Sequence, residues 1–386
     1  MKQVYLDYSA TTPIKEEVLE AMMPYLKEEY GNPSNIYSLG IKTKKAISES
    51  RGKICDLINA NENEIYFTGS GSEADNWAII GILNAHEEKG KHIVASKIEH
   101  HAILNTLKHL ETKGYEVTYL DVRRDGILNP DDLKNALRKD TVLVSIMLAN
   151  NEIGTIQPIE KLAKIAHENG TFFHCDGVQA LSNIPIDVKK LDVDMMAFSA
   201  HKLHGPKGIG ALYIKKGIEI DNFVFGGNQE MGKRAGTENV AGIVGFGKAA
   251  QLAKSNMENH IAHCLELRNY LADEIYSNIF HSKVNGSMLK RLPGNLNISF
   301  SYIEGESILL MLNQLGISVS TGSACSSGEG EPSHVLKAIG VDDSLIHGTV
   351  RFSIGDFTTK EDIDYVVSSL KTITDKLLEL SPLYKG

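Results

Sequence analysis

The run Val142-Leu143-Val144-Ser145-Ile146-Met147-Leu148 decides the architecture. As a strand it is apolar on both faces, so neither face can be left in water. Such strands belong to a sheet covered by helices on each side. Outward from it, short apolar runs alternate with helical patterns through the first two thirds of the chain. The predicted strands are 65–68, 92–96, 116–122, 141–149, 171–176, 195–199 and 208–214. Helices are predicted over 73–88, 100–113, 130–139 and 160–169. This alternation gives an α/β fold with a mainly parallel seven-stranded sheet between helices.

A long helical stretch follows from Val240 to about Ile279, with Gly242, Gly245 and Gly247 near its start. From Lys283 the pattern changes to strand (295–300), helix (306–315), a Ser/Gly-rich segment, strand (349–354) and a terminal amphipathic helix (360–380). That reads as a smaller α+β C-terminal domain. The expected division is a large domain over 14–260 and a small one formed by 1–13 with 261–386, carrying a mobile loop at about 320–332.

The chain has 386 residues, 42% of them hydrophobic, and a formal net charge of −9. A net charge of −9 argues against a nucleic-acid binder driven by phosphate contacts, so no nucleic-acid partner is expected. No apolar run approaches the roughly 18 residues of a membrane span, and no charged-then-apolar leader opens the sequence, so a cytoplasmic protein without membrane insertion is expected. The four cysteines, Cys55, Cys175, Cys264 and Cys325, form no C-x-x-C pair. Neither a zinc site nor a redox dithiol is expected, hence no metal.

In open α/β sheets ligands bind at the carboxyl ends of the strands. Here those ends are unusually polar. The first predicted strand runs into Gly69-Ser70-Gly71-Ser72-Glu73. The N–H groups of Gly71 and its neighbours, with the Ser72 hydroxyl, suit an anion; helix capping alone is the alternative. Without a Gly-Lys-Ser/Thr ending it is not a nucleotide P-loop. The strand from Thr141 leads to Asn150-Asn151-Glu152, whose amides either form a turn or bind a phenolate oxygen. The strand from Thr171 ends in Asp176-Gly177-Val178-Gln179. A buried aspartate needs a partner, and a protonated ring nitrogen would serve.

The next strand ends in Ser199-Ala200-His201-Lys202. Lys202 is either a surface lysine or an amine for a Schiff base with an aldehyde cofactor. Ser199 and His201 can donate to a phosphate. His100, at another strand-to-helix junction, either caps the helix or stacks on a cofactor ring and moves protons near neutral pH. An aldehyde trap, a ring-nitrogen partner, amide and hydroxyl donors and a phosphate cradle together make up what pyridoxal 5'-phosphate requires. Cys325, among Ser, Thr, Gly and Ala, does not read as a packed core thiol and is either an accidental exposed cysteine or a nucleophile. Arg351, on the predicted strand 349–354, suits either an amino-acid carboxylate or a structural ion pair.

These segments, with Tyr5-Leu6-Asp7-Tyr8-Ser9-Ala10-Thr11-Thr12-Pro13, Gly31-Asn32-Pro33-Ser34, Arg234-Ala235-Gly236-Thr237-Glu238-Asn239 and Gly322-Ser323-Ala324-Cys325, resemble the class I cysteine desulfurases of the NifS/IscS type. The resemblance covers nearly the whole chain. It implies a fold-type I pyridoxal-phosphate enzyme of the aminotransferase class V family. It also implies conversion of L-cysteine to L-alanine, with the sulfur taken by Cys325 as a persulfide and passed to an acceptor protein such as an iron–sulfur scaffold.

By the same resemblance Lys202 bonds the cofactor, Asp176 meets the ring nitrogen, Gln179 and Asn151 the phenolic side, and His100 the ring face. Ser72, Ser199 and His201 hold the phosphate, and Thr237 reaches the phosphate of the partner site in a homodimer. Arg351 and Asn151 hold the substrate carboxylate. Four positions depart from the family pattern: Asp356 replaces an arginine, Tyr37 a histidine, Gly177 an alanine, and Asn228 interrupts a glycine run. An aminotransferase or selenocysteine lyase on the same scaffold, and a non-catalytic binding protein, are the competing readings. Cys325 has no use in an aminotransferase, selenocysteine lyase activity is compatible with desulfuration, and Lys202, His100, Cys325 and Arg351 together argue against a non-catalytic protein.

Overall fold

The computed structural model describes residues 2–321 and 332–384. The chain opens with β1 (Val4–Tyr5), α1 (Glu16–Lys27) and α2 (Ser38–Ile58). Next come β2 (Ile65–Thr68), α3 (Gly71–Ala85), β3 (His92–Ser96), α4 (His101–Glu111), β4 (Glu116–Leu120), α5 (Pro130–Ala136) and β5 (Thr141–Ser145). They are followed by α6 (Ile159–Glu168), β6 (Phe172–Asp176), α7 (Val188–Leu191), β7 (Met195–Ser199), β8 (Gly210–Ile214) and α8 (Val240–Asn278). The remainder is β9 (Ser282–Val284), β10 (Asn295–Phe300), α9 (Gly305–Gln314), β11 (Ile317–Ser318), α10 (His334–Ala338), α11 (Asp343–Ile346), β12 (Thr349–Ser353) and α12 (Lys360–Leu380).

The central sheet has seven strands in the order β2-β8-β7-β6-β5-β3-β4. Only β8 runs against its neighbours. All the other strands therefore present their carboxyl ends along one edge. Its two faces are covered separately. One carries Ile54, Ile58, Val144, Phe173, Phe198 and Phe246. The other carries Trp77, Ile79, Ile82, Ile103, Leu143 and Met195. Double coverage is what the unbroken apolar run at 142–148 demands.

The expected strand 141–149 leaves the regular ladder at Ser145. Beyond it the Met147 N–H is donated to the Glu99 carboxylate, at 2.9 Å to Oε2, instead of to β3. Ile146 and Leu148 still bond β6, to the His174 and Asp176 carbonyls at 3.1 and 2.8 Å. The chain is thus steered across the end of β6 rather than past it.

α1 and α2 have no counterpart among the predicted helices. Both lie against α8, where glycines allow close approach. A Cβ at Gly245 would meet Met22 Sδ at 2.6 Å, and one at Gly247 would meet the Ser50 Cα at 2.7 Å. α8 is 39 residues long. Its first half packs Ile243, Phe246 and Ala250 under the large sheet. Its second half packs Cys264, Leu267, Leu271 and Ile275 on a separate core shared with β10, β12 and α12. The three-stranded sheet β12-β10-β9 backs that core, and β1 pairs parallel with β11 beside it.

Asp356 ties these parts together. Its carboxylate accepts from Lys15 Nζ and bonds His260 Nδ1, and His204 Nε2 lies 3.8 Å away. Although burial opposes the charged form, those two bonds hold the Asp356 carboxyl well below the usual range. The departure from arginine is thus matched by the Lys15 ammonium at the start of α1 and by an imidazole, that of His260, on α8. Gly177 is also accounted for: a Cβ there would meet Met196 Cε at 2.5 Å. Tyr37 precedes α2 half-exposed, and nothing in the structure explains it or Asn228.

Candidate active site

The carboxyl ends of β2, β3, β5, β6 and β7 open onto a cavity of about 360 Å³. Gly71, Ser72, His100, Asn151, Asp176, Gln179, Ser199, His201, Lys202 and Arg351 all line it. The sequence-predicted site therefore gathers in one place, with two exceptions. Thr237 is exposed on the segment leading into α8 and does not line the cavity. Cys325 lies outside the described residues.

Ser70 caps α3, accepting from the Glu73 N–H at 3.1 Å, so the helix starts at the cavity wall. There is room there only for glycine at two points. A Cβ on Gly71 would come within 2.8 Å of Val178 Cγ2, and one on Gly210 within 2.5 Å of the Ser70 backbone. Ser72, Ser199 and His201 lie around this helix start, a set of donors suited to a phosphate.

Lys202 follows β7 by one turn. Its Nζ donates to the Ser9 and Ala10 carbonyls, at 2.6 and 2.7 Å. Gln179 Nε2 donates to the same Ser9 carbonyl at 2.8 Å. The N-terminal arm is therefore part of the site, a role that its sequence reading did not give it.

Asp176 ends β6 and is 6% exposed. Its Oδ1 accepts from the Val178 N–H at 2.8 Å. Burial pushes its carboxyl up to about 6, against the pull of that N–H and of the Lys202 charge. A carboxylate made costly by burial is stabilised by a cation brought to it, and a protonated ring nitrogen is one.

His100 caps α4, with Nδ1 accepting from the Ala102 N–H at 3.1 Å, so a neutral ring carries its proton on Nε2. Burial, and then the charges of Lys202 and His101, push its imidazole down to about 4. The ring is neutral at pH 7, which differs from the expected titration near neutrality. It offers an apolar face and one fixed N–H.

Arg351 on β12 donates from Nη2 to Asp7 Oδ1 at 2.8 Å and from Nη1 to the Asn151 carbonyl at 3.1 Å. Its Nε is buried without a hydrogen-bond partner among the described residues. Beside it Glu152 accepts from Ser333 Oγ at 2.6 Å, and burial pushes its carboxyl up to about 7.

Sequence reasoning missed Ser9, Ala10, Asp7, Asp75, Glu152 and His334, all placed in or next to the cavity. The Asn150-Asn151-Glu152 run signalled one of them. Asp75 follows Ser72 by three residues inside an apolar helix, Asp7, Ser9 and Ala10 lie in the quoted N-terminal segment with no role read for them, and only His334 comes from a segment that drew no notice. Among the described residues no group of three His, Cys, Asp or Glu side chains could hold a metal, and no helix is long and apolar enough to cross a membrane.

A buried carboxylate, an amine, a neutral imidazole, hydroxyl donors at a helix start and a guanidinium fit pyridoxal phosphate and an amino acid. Comparison with known proteins agrees. The family described as Aminotransferase class-V matches residues 4–366. A relative named cysteine desulfurase IscS from Dictyoglomus turgidum is 54% identical over 381 residues, 99% of this chain and 97% of its own. One of the same name from Methanosarcina thermophila is 54% identical, covering 99% of this chain and 94% of its own. Among solved structures, a NifS-like protein superposes with a TM-score of 0.92 at 36% identity, over 97% of this chain and all 100% of the other. A protein described as SspA in complex with cysteine has a TM-score of 0.81 at 34% identity, over 92% and 100%. The chain therefore belongs to the class-V aminotransferase family, as a pyridoxal-phosphate-dependent member of its IscS and NifS-like cysteine desulfurase branch.

Proposed function

We propose that this protein is a cysteine desulfurase, which converts L-cysteine to L-alanine and removes the sulfur as a persulfide on Cys325. The observation that carries this is the single cavity where Lys202, Asp176, His100 and Arg351 meet. When bound there, pyridoxal phosphate withdraws electrons from the substrate Cα and so eases loss of its proton.

The residues divide the work. Lys202 would hold the cofactor aldehyde and would then carry the proton at Cα. Asp176 would pair with the ring nitrogen, and Gln179 and Asn151 would bond the phenolic oxygen. His100, neutral and buried, would cover the ring face. Ser72, Gly71, Ser199 and His201 would hold the phosphate. Arg351, already fixed by Asp7 and the Asn151 carbonyl, turns its fork to the substrate carboxylate. The Cys325 thiolate would attack the substrate sulfur, forming the S–S bond as the Cβ–S bond breaks; the electron pair of that bond stays with Cβ, which takes up a proton and becomes the methyl group of alanine.

A homodimer, in which Thr237 serves the partner's site, is supported by large apolar side chains left in water. Tyr30, Ile36 and Ile41 around the start of α2 are 75%, 93% and 57% exposed, and Phe225 ahead of α8 is 83% exposed. The division into a large domain over 14–260 and a small one from 1–13 and 261–386 is supported by the two cores joined through α8. A cytoplasmic setting, with an iron–sulfur scaffold or another thiolation protein as acceptor, completes the reading.

The test is alanine and persulfide production from L-cysteine, wild type beside Cys325→Ala. Both products in the wild type and neither in the variant are expected. Alanine formation that survives in the variant would make the protein a general lyase instead.

A further inference from the structure

His334 lines the cavity but has no part in the chemistry above. It opens α10, and the residues on both sides of it are anchored. Ser333 Oγ donates to the Glu152 carboxylate at 2.6 Å and accepts from the Val335 and Leu336 N–H groups at 3.1 and 3.2 Å. Val335 and Leu336 are each 1% exposed and pack with Ile98 and Ile153. A helix pinned at its cap and along its apolar face holds the His334 ring in one place. The ring itself has two contacts. Nε2 lies 3.0 Å from the Glu99 carbonyl oxygen, and the His101 ring packs against it with centroids 4.9 Å apart.

The Glu99 contact fixes where the ring carries its proton. A carbonyl oxygen has no proton to give, so Nε2 donates, and a neutral ring keeps Nδ1 bare. Nδ1 has no hydrogen-bond partner among the described residues. Burial pushes the imidazole down to about 4, against the pull of the Glu99 carbonyl, and His101, His100 and Lys108 add to the effect of burial. The ring is therefore neutral at pH 7. His100 is the opposite case, because its Nδ1 accepts from the Ala102 N–H and it is left with an N–H to offer. One cavity thus holds two neutral imidazoles of opposite polarity, a donor and an acceptor.

We propose that His334 is a substrate-binding residue whose Nδ1 accepts a hydrogen bond from the thiol of L-cysteine. The inference rests on the desulfurase reading. On that reading Arg351 takes the substrate carboxylate and Lys202, with the cofactor, the amino end, which leaves the thiol as the polar group still to be held. A weak base suits it. A thiol with an ordinary pKa of about 8.5 keeps its proton when bonded to an imidazole that titrates near 4. The substrate sulfur then stays neutral and open to attack by a thiolate, which a second thiolate would repel. As the S–S bond forms, the electron pair of the Cβ–S bond goes to Cβ, and the S–H proton stays on the transferred sulfur.

Absorbance titration of the Cys325→Ala holoenzyme with L-cysteine and with L-alanine tests it, since the two amino acids differ only by the thiol. In that background His334→Phe keeps a ring against His101 and loses the acceptor. It should weaken L-cysteine by about fivefold and leave L-alanine within about twofold. His334→Asn restores an acceptor oxygen close to the place of Nδ1 and should hold the loss for L-cysteine below about twofold. Nitrogen NMR of the histidine-labelled holoenzyme should show a protonated Nε2 and a bare Nδ1 for the ring that His334→Phe removes. That Nδ1 signal should move with L-cysteine and not with L-alanine.

Equal weakening of both amino acids, an unchanged affinity for L-cysteine, or a proton found on Nδ1 overturns the proposal. So does an Asn variant that loses as much as the Phe variant. If His334→Phe does not fold, His334→Asn assigns the nitrogen signals, and their response to the two amino acids decides. A holoenzyme whose absorbance answers to neither amino acid would sink the desulfurase reading itself, while the nitrogen spectrum would still report which atom of His334 holds the proton.

Discussion

Asp356→Asn removes one charge from a cluster that joins three stretches of chain. The Asp356 carboxylate bonds Lys15 Nζ and His260 Nδ1, and their side chains are 14%, 19% and 13% exposed. A hydrogen bond to a charged group is worth about 1.5–3 kcal/mol, and partial exposure favours the lower figure for each, giving about 3 kcal/mol for the two. Unfolding entropy of roughly 2.1 cal/mol/K per residue over 386 residues makes that a fall of about 4 °C in melting temperature, if the chain melts as one unit.

The pH dependence follows from the depressed folded pKa of Asp356. Its contribution is complete above the unfolded value of about 4 and is lost as pH falls toward the folded value. The gap between wild type and variant should therefore be full above about pH 5 and narrower by about 1 kcal/mol near pH 3. Calorimetric scans of both proteins at matched rates, from neutral to acid pH, measure it. A loss below about 1 °C at pH 7, or a gap that widens on acidification, would refute the assignment of stability to this cluster.

Arg351→Lys keeps the charge and the Asp7 ion pair but loses the planar fork. It should raise KM for L-cysteine by about tenfold or more with a smaller change in kcat, measured by steady-state alanine release. An unchanged KM would move Arg351 to a purely structural role. His100, held neutral down to about 4 by burial, should leave no inflection in kcat/KM between about pH 5.5 and 8. Comparing pH profiles of wild type and His100→Gln checks this, and a limb near neutrality that disappears in the variant would assign proton transfer to His100.

The strands of the large sheet were legible because each is a short apolar run bounded by polar residues. Ile65–Thr68, His92–Ser96 and Met195–Ser199 form as their patterns predict. α1 and α2 were not, and their buried faces show why. α1 buries only Val18 and Met22, while Leu19 and Leu26 are left exposed. α2 buries Thr43, Ser50 and Arg51 along with its aliphatic residues. Helices that pack through glycine contacts and buried polar groups do not write a clean 3.6-residue stripe. The site was legible wherever a polar residue follows an apolar strand: Asp176, Ser199, Lys202 and His100 all obey that rule.

What that rule cannot find is polarity hidden inside an apolar run. His174 sits within the strand Phe172–Asp176 and Asp75 within the apolar helix Gly71–Ala85, where each reads as an interruption. Only the fold shows that the two interruptions meet, at 3.5 Å, beneath the same cavity. The same holds for the arm. Nothing in Ser9-Ala10 suggests a ligand for lysine until parallel pairing of Val4–Tyr5 with Ile317–Ser318 helps bring the arm across the sheet edge. Strand ends thus carry polar groups that line the cavity, whereas the polar groups packed behind them lie inside apolar runs, where the pattern that marks a strand or a helix hides them.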